Sequence, residues 1–259
     1  MIDFTIRTYI VYLEAIKSNH SNILRFDEYF KSNPKPDTFC IIRHDVDRRP
    51  LHALNMARLE NEMGISTTYF FRAKPSTFIP DIISTIADLG HEIGYHYENL
   101  SDSNGDMIQA INDFESNLYR FRSIYPVKTI SQHGRPLKPF NNLDMWRDPH
   151  NYAMMKDKYG LLGEVYLDID YRDIEYINDT GRNWSSTQSN LRDKVNSDLR
   201  IDFKNGKELY NHLAFSPPKK IVFQIHPERW SSSALDWVFQ YLKDYITNMI
   251  KHILIIKRR

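Results

Sequence analysis

The feature that most limits the fold is a rhythm between residues 38 and 131. Short apolar runs rich in β-branched and aromatic residues alternate there with stretches whose apolar residues recur at helical spacing. The first run, Thr38-Phe39-Cys40-Ile41-Ile42-Arg43-His44, is continuous rather than alternating, as expected of a strand covered on both faces. Pro50 follows, and 51–63 reads as a helix closed by Gly64. The pattern then repeats, with a strand over 66–71, a helix over 80–89 closed by Gly90, a strand over 91–97, a helix over 107–125 and a strand over 127–131. Strand and helix alternating at this spacing build parallel βαβ units. Beyond residue 140 the rhythm loosens: strands are expected over 161–170 and 173–177, a helix from the Asn205-Gly206 turn to 215, a last buried strand over 221–225 and a helix from Ser233 onward. Residues 6–30 carry helical spacing and stop at Asn33-Pro34-Lys35-Pro36. The expected fold is α/β: one barrel-like domain over 34–259, distorted and with about seven parallel strands, preceded by a helical extension over 1–33.

Composition removes several classes of function. Against 34 Lys and Arg stand 33 Asp and Glu, a net charge of +1, which leaves no basic footprint for a phosphate backbone. Nucleic acid is therefore not an expected partner. The single cysteine, Cys40, has no partner in the chain, so the expectation is a reducing, cytoplasmic setting. Asp3, Arg7 and Glu14 interrupt the N-terminal apolar residues, which is unlike a secretory signal, and no run approaches the ~18 apolar residues of a membrane span.

Acids and imidazoles gather where the strands end, the rim at which a parallel α/β barrel places its site. The first strand ends Arg43-His44-Asp45-Val46-Asp47, and alternation puts Asp45 and Asp47 on one side. The third ends Tyr95-His96-Tyr97-Glu98, with His96 and Glu98 together and His91 turned away; the fourth ends Ser131-Gln132-His133-Gly134-Arg135-Pro136, and the last ends Gln224-Ile225-His226-Pro227-Glu228-Arg229-Trp230. Two imidazoles and a carboxylate around an open position suit Zn²⁺, with Co²⁺, Mn²⁺ and Ni²⁺ admitted by the same donors. Such an ion acidifies water and polarises a carbonyl, the needs of amide or ester hydrolysis, while a second carboxylate and a separate imidazole serve as base and acid.

In order and content these segments resemble the polysaccharide deacetylase family, the NodB-homology domain of carbohydrate esterase family 4. Gly90-His91-Glu92-Ile93-Gly94-Tyr95-His96 carries most of the resemblance. Arg43 to Asp47 stands for the family's T-F-D-D motif, Ser131 to Pro136 for R-x-P, and Phe223 to His226 for L-x-x-H. The chain departs from the pattern at Leu100, where the family's second metal-binding histidine would fall, and His133 is the substitute the resemblance implies. It implies Asp47, His96 and His133 as ligands, Asp45 as base and His226 as acid, with the reverse assignment of Asp45 and Asp47 left open. The family's D-x-x-D-W motif is not evident; Asp179 orienting His226 and Trp184 walling a pocket would take its part. Arg43, Glu98, Arg135 and Trp230 complete the candidate contacts to substrate, with pairing to the site's acids the alternative for the two arginines, contact to an imidazole the alternative for Glu98, and core packing the alternative for Trp184 and Trp230.

The activity expected is metal-dependent removal of an N-acyl group, acetyl first, from an amino sugar destined for a surface polysaccharide. A deformylase or other amide hydrolase, and an inactive relative that binds glycan, are the alternatives. The sequence leaves the oligomeric state open.

Overall fold

The computed structural model describes residues 1–135, 138–185, 195–199 and 201–257. Its helices are α1 (Ile6–Asn19), α2 (Phe26–Lys31), α3 (Pro50–Glu62), α4 (Pro80–Asp88), α5 (Asn99–Asp102), α6 (Met107–Arg122), α7 (Pro149–Tyr159), α8 (Gly206–Phe215) and α9 (Ala234–Lys257). The strands are β1 (Ile23–Leu24), β2 (Phe39–Val46), β3 (Thr68–Phe71), β4 (Glu92–Tyr97), β5 (Thr129–Gln132), β6 (Gly163–Glu164), β7 (Glu175–Asn178), β8 (Trp184–Ser185), β9 (Asp202–Phe203) and β10 (Lys220–Ile225).

Seven of these form an open half-barrel of parallel strands, in the order β6-β5-β4-β3-β2-β10-β7. Its axis is β2, buried along its whole length and paired on one side with β10 (Ile225 opposite His44) and on the other with β3 (Val46 opposite Phe71). Burial on both faces is why this strand reads as an unbroken apolar run until its C-terminal end. The sheet stays open because, among the described residues, β6 and β7 do not pair with each other. Gly94 lets β3 and β4 come close, since a Cβ there would stand 2.3 Å from the Phe70 ring. Gly64, at φ +67°, ends α3 in the left-handed conformation that the capping pattern required.

Two of the expected elements differ. The helical stretch over 6–30 is two helices, because α1 stops at His20, whose N–H closes onto Ile16 O at 2.9 Å, and Ile23 and Leu24 then pair with Cys40 and Ile41 of β2. The tyrosines of α1 lie in the same core cluster as the inner residues of β10 and as Leu209 and Leu213 of α8. The strand expected over 161–170 is only Gly163–Glu164. There the Glu164 carboxylate accepts from the N–H groups of Tyr166 (2.6 Å) and Leu167 (3.1 Å), which bends the chain away from the sheet. Pro136 of the R-x-P match lies outside the described residues.

Candidate active site

Strand β2 delivers Arg43 and Asp45 to the inner face and Asp47 to the turn just beyond, where its N–H bends back to Asp45 O at 3.1 Å. His96 comes from the end of β4. His133 follows β5, its N–H held by Tyr97 O at 2.8 Å. One donor atom each from Asp47, His96 and His133 lies within 4.8 Å of the other two. His96 Nε2 is 3.5 Å from Asp47 Oδ1, and His133 Nε2 is 3.3 Å from Asp47 Oδ2.

Hydrogen bonds fix both imidazoles. His96 Nδ1 lies 3.0 Å from the carbonyl of Ser131, an acceptor only, so Nδ1 carries the hydrogen and Nε2 turns its lone pair inward. His133 Nδ1 donates to Glu98 Oε2 at 2.9 Å, the carboxylate–imidazole arrangement typical of metal ligands. Burial pushes His96 down to about 4, although Asp45 and Asp47 pull it upward, so this imidazole is neutral. Burial pushes His133 down too, but Asp47 and Glu98 outweigh it and raise it to about 9. Asp47 stays ionised: burial opposes its charge, and His133, His96 and His226 hold its carboxyl well below the usual range. Its Oδ1 is buried and has no hydrogen-bond donor among the described residues. A carboxylate oxygen without a donor, beside the lone pair of His96 and beside a His133 that offers its own once its proton leaves, fits a divalent cation.

Asp45 borders this cluster, its Oδ2 at 3.5 Å from His96 Nε2. Arg43 grips it with two bonds, Nε to Oδ1 at 2.7 Å and an amino nitrogen to Oδ2 at 2.9 Å, and Gln224 Nε2 adds one at 2.5 Å. Burial works against the charge, and Arg43, His96 and His226 hold the carboxyl below its ordinary value all the same.

His226 closes β10. Asp179 Oδ1 takes its Nδ1 at 2.6 Å, Asp179 Oδ2 takes its backbone N–H at 3.0 Å, and Trp230 Nε1 donates to the same Oδ2 at 2.9 Å. Arg229 donates to Asp179 Oδ1 at 2.9 Å. Burial and Arg229 lower the His226 imidazolium, Asp179 and then Asp47 restore it, and the net shift is upward.

Asp45, Asp47, His96, His133 and His226 thus lie at one mouth of the half-barrel. Several residues read as substrate contacts have other surroundings. Arg43 is wholly buried beneath Asp45, so it has no face for a ligand. Glu98 is 3% exposed and is occupied by Arg72, His133 and Arg135, which makes it the anchor of His133. Asp179 is buried behind His226 and accepts from it, the orienting part expected of it rather than a substrate contact. Trp184 and Trp230 are core residues, packed with Phe4, Tyr9 and Tyr12. Only Arg135 keeps a partly open side chain, 3.2 Å from Glu98. Leu100, the second residue of α5, drops into the core cluster that also holds Met145 and Trp146, which is why no ligand can stand there.

Sequence reading missed Gln224, Ser131 and Glu228. Alternation along β10 puts Gln224 on the face of His226, and along β5 it puts Ser131 on the face of His133, so both were open to inference. Glu228 is buried near Asp47, which together with burial raises its carboxyl, and Arg48 reaches it at 3.4 Å.

No family model and no curated protein matches this chain. Among solved structures it is similar to an esterase of carbohydrate esterase family 4 from Streptococcus mutans, at 12% identity over 81% of this chain and 83% of that one, TM-score 0.46. It is also similar to the catalytic domain of a peptidoglycan N-acetylglucosamine deacetylase from Eubacterium rectale, at 13% identity over 88% of both chains, TM-score 0.43. A third is a mutant of a family 4 pseudoenzyme with restored activity, at 12% identity over 83% of this chain and 64% of that one, TM-score 0.42. At such identities and TM-scores the chemistry has to come from the residues themselves.

Proposed function

We propose that the protein is a metal-dependent hydrolase that removes an N-acyl group, acetyl first, from an amino sugar. The observation that carries this reading is the approach of Asp47, His96 and His133 to within 4.8 Å of one another, with an ionised Asp45 on one flank. Those three side chains would hold the ion, Zn²⁺ foremost among the divalent metals that such donors accept. Bound there, it supplies Lewis acidity toward an acyl oxygen and toward water. Asp45, kept charged by Arg43, receives the proton that the attacking water loses. His226, whose protonated form Asp179 favours from behind, delivers a proton through Nε2 to the departing nitrogen. Glu98 fixes the ring of His133, and Ser131 O fixes that of His96. Arg135 at the open side is the candidate contact for a polar or anionic substituent of the sugar. A single cysteine, with no partner for a disulfide within the chain, is in keeping with a cytoplasmic enzyme, and the substrate proposed for it is a precursor of a surface polysaccharide.

The test is acetate release from N-acetylated amino sugars by protein of known metal content. Asp45→Asn is expected to keep full metal and lose activity by a factor of ~10²–10⁴, the span of a general base. His96→Ala is expected to lose metal and activity together. Full metal content in His96→Ala would overturn the ligand assignment. Formate release from the N-formylated counterparts, with no acetate released from the N-acetylated sugars, would make the enzyme a deformylase.

A further inference from the structure

Helix α9 is inside out. Its polar side faces the protein body: Trp237 Nε1 donates to Asp3 O at 2.7 Å, Gln240 is buried, Asp244 pairs with Arg182 at 3.0 Å, and Asn248 donates to Gly181 O at 2.9 Å. Its apolar side faces outward. Leu235, Val238, Leu242, Tyr245 and Met249 recur every three and four residues, the spacing of a helix–helix seam, and all are exposed, Leu235 at 87%. Phe239, at 64%, and Ile246 widen the stripe on one flank. An amphipathic helix packed on its own domain normally turns that stripe inward.

We propose that this face is the interface of a homodimer, in which α9 of one copy packs against α9 of a second around a two-fold axis near Leu242. At ~200 Å² per large side chain, a little over half exposed, the seven residues present roughly 800 Å² of apolar surface. A monomer seldom leaves more than ~300–600 Å² in one patch, whereas a stable dimer buries about 800 Å² per partner. Leu242 is the middle of the seam, so a two-fold axis there sets Leu235 against Met249 and Val238 against Tyr245 in an antiparallel pair. A helix that lies on lipid sets lysines and arginines along its solvent-facing side. In α9 that side is turned to the protein, and the described charges beside the stripe are Asp236, bound by Arg49 at 2.7 Å, and Lys243. A second copy fits this better than an anionic membrane.

Sedimentation equilibrium of the full chain between 1 and 100 µM (concentrations chosen around the roughly micromolar range of interfaces of this size) tests the proposal. Twice the chain mass is expected, and Leu242→Lys is expected to weaken association at least ~100-fold. Should that variant fail to fold, Leu242→Cys decides instead. Oxidation is expected to link it into a dimer, since Cys40 is fully buried, while Lys207→Cys on the exposed start of α8 stays unlinked. A wild-type protein that stays monomeric at 100 µM, a Leu242→Cys protein that does not cross-link, or a monomer that floats with phosphatidylglycerol vesicles would each overturn it.

Discussion

In the metal-free protein the ligand cluster holds a proton that a cation must expel. Asp47 at 3.3 Å and Glu98 at 2.9 Å raise His133 to about 9 against its burial, while burial holds His96 at about 4. Between pH 6 and 8, then, His96 is already a free donor and His133 is the protonated member. One proton leaves for each ion bound, so affinity rises about tenfold per pH unit, ~1.4 kcal/mol, and levels off above pH 9. The same proton acts oppositely on the metal-free fold. A folded-state value above the unfolded ~6.5 adds stability that is complete below pH 6.5 and lost as pH climbs through 9, a contribution of order 3 kcal/mol. Metal-free protein should therefore melt earlier as pH goes from 6.5 to 9, while metal-loaded protein, whose His133 is unprotonated as it is in the unfolded chain, should stay nearly level. Calorimetric titration with Zn²⁺ in two buffers of different ionisation enthalpy counts the proton directly. A buffer-independent enthalpy at pH 7, or an affinity flat from pH 6 to 8, would refute the assignment of His133 as the charged ligand.

Three further perturbations separate the parts of the site. Glu98→Gln removes the charge that seats His133 and should lower metal affinity ~10–100-fold with little change in fold, measured by competition with a chelating dye. Asp179→Asn takes away the main group that raises His226, so the alkaline limb of the kcat profile should move to lower pH, and an unmoved limb would show that His226 is not the acid. Gly94→Ala sets a methyl 2.3 Å from the Phe70 ring and should cost about 1–3 kcal/mol, read as a lower denaturation midpoint.

The parallel sheet was legible because β2, β3, β4 and β10 are buried on both faces and so leave unbroken apolar runs. The candidate ligands were legible for a related reason: alternation along a strand fixes which residues share its inner side, and the sheet brings the ends of β2, β4 and β5 together. Bond partners were not legible. Arg43 was read either as a substrate contact or as a partner of the site's acids, and it is the second, two residues before Asp45 on the same strand and folded onto it; no one-dimensional pattern distinguishes an outward cation from an inward one. Glu98 likewise needed the positions of Arg72 and Arg135, which come from other segments. Trp184 and Trp230 were lost to the core because α1, read as an extension, brings Tyr9 and Tyr12 against them. The bend after Glu164 depends on a carboxylate accepting from its own following N–H groups, a local competition that strand propensity does not record.

Leu100 has a consequence of its own. With the second imidazole carried by the neighbouring strand end, the short turn after β4 no longer has to satisfy a cation and is free to serve as a greasy plug beneath the rim. Substitutions there should register in thermal resistance and leave turnover alone, so that in this chain the tolerance map of 99–103 belongs to packing, while the chemical constraint has moved about thirty residues downstream.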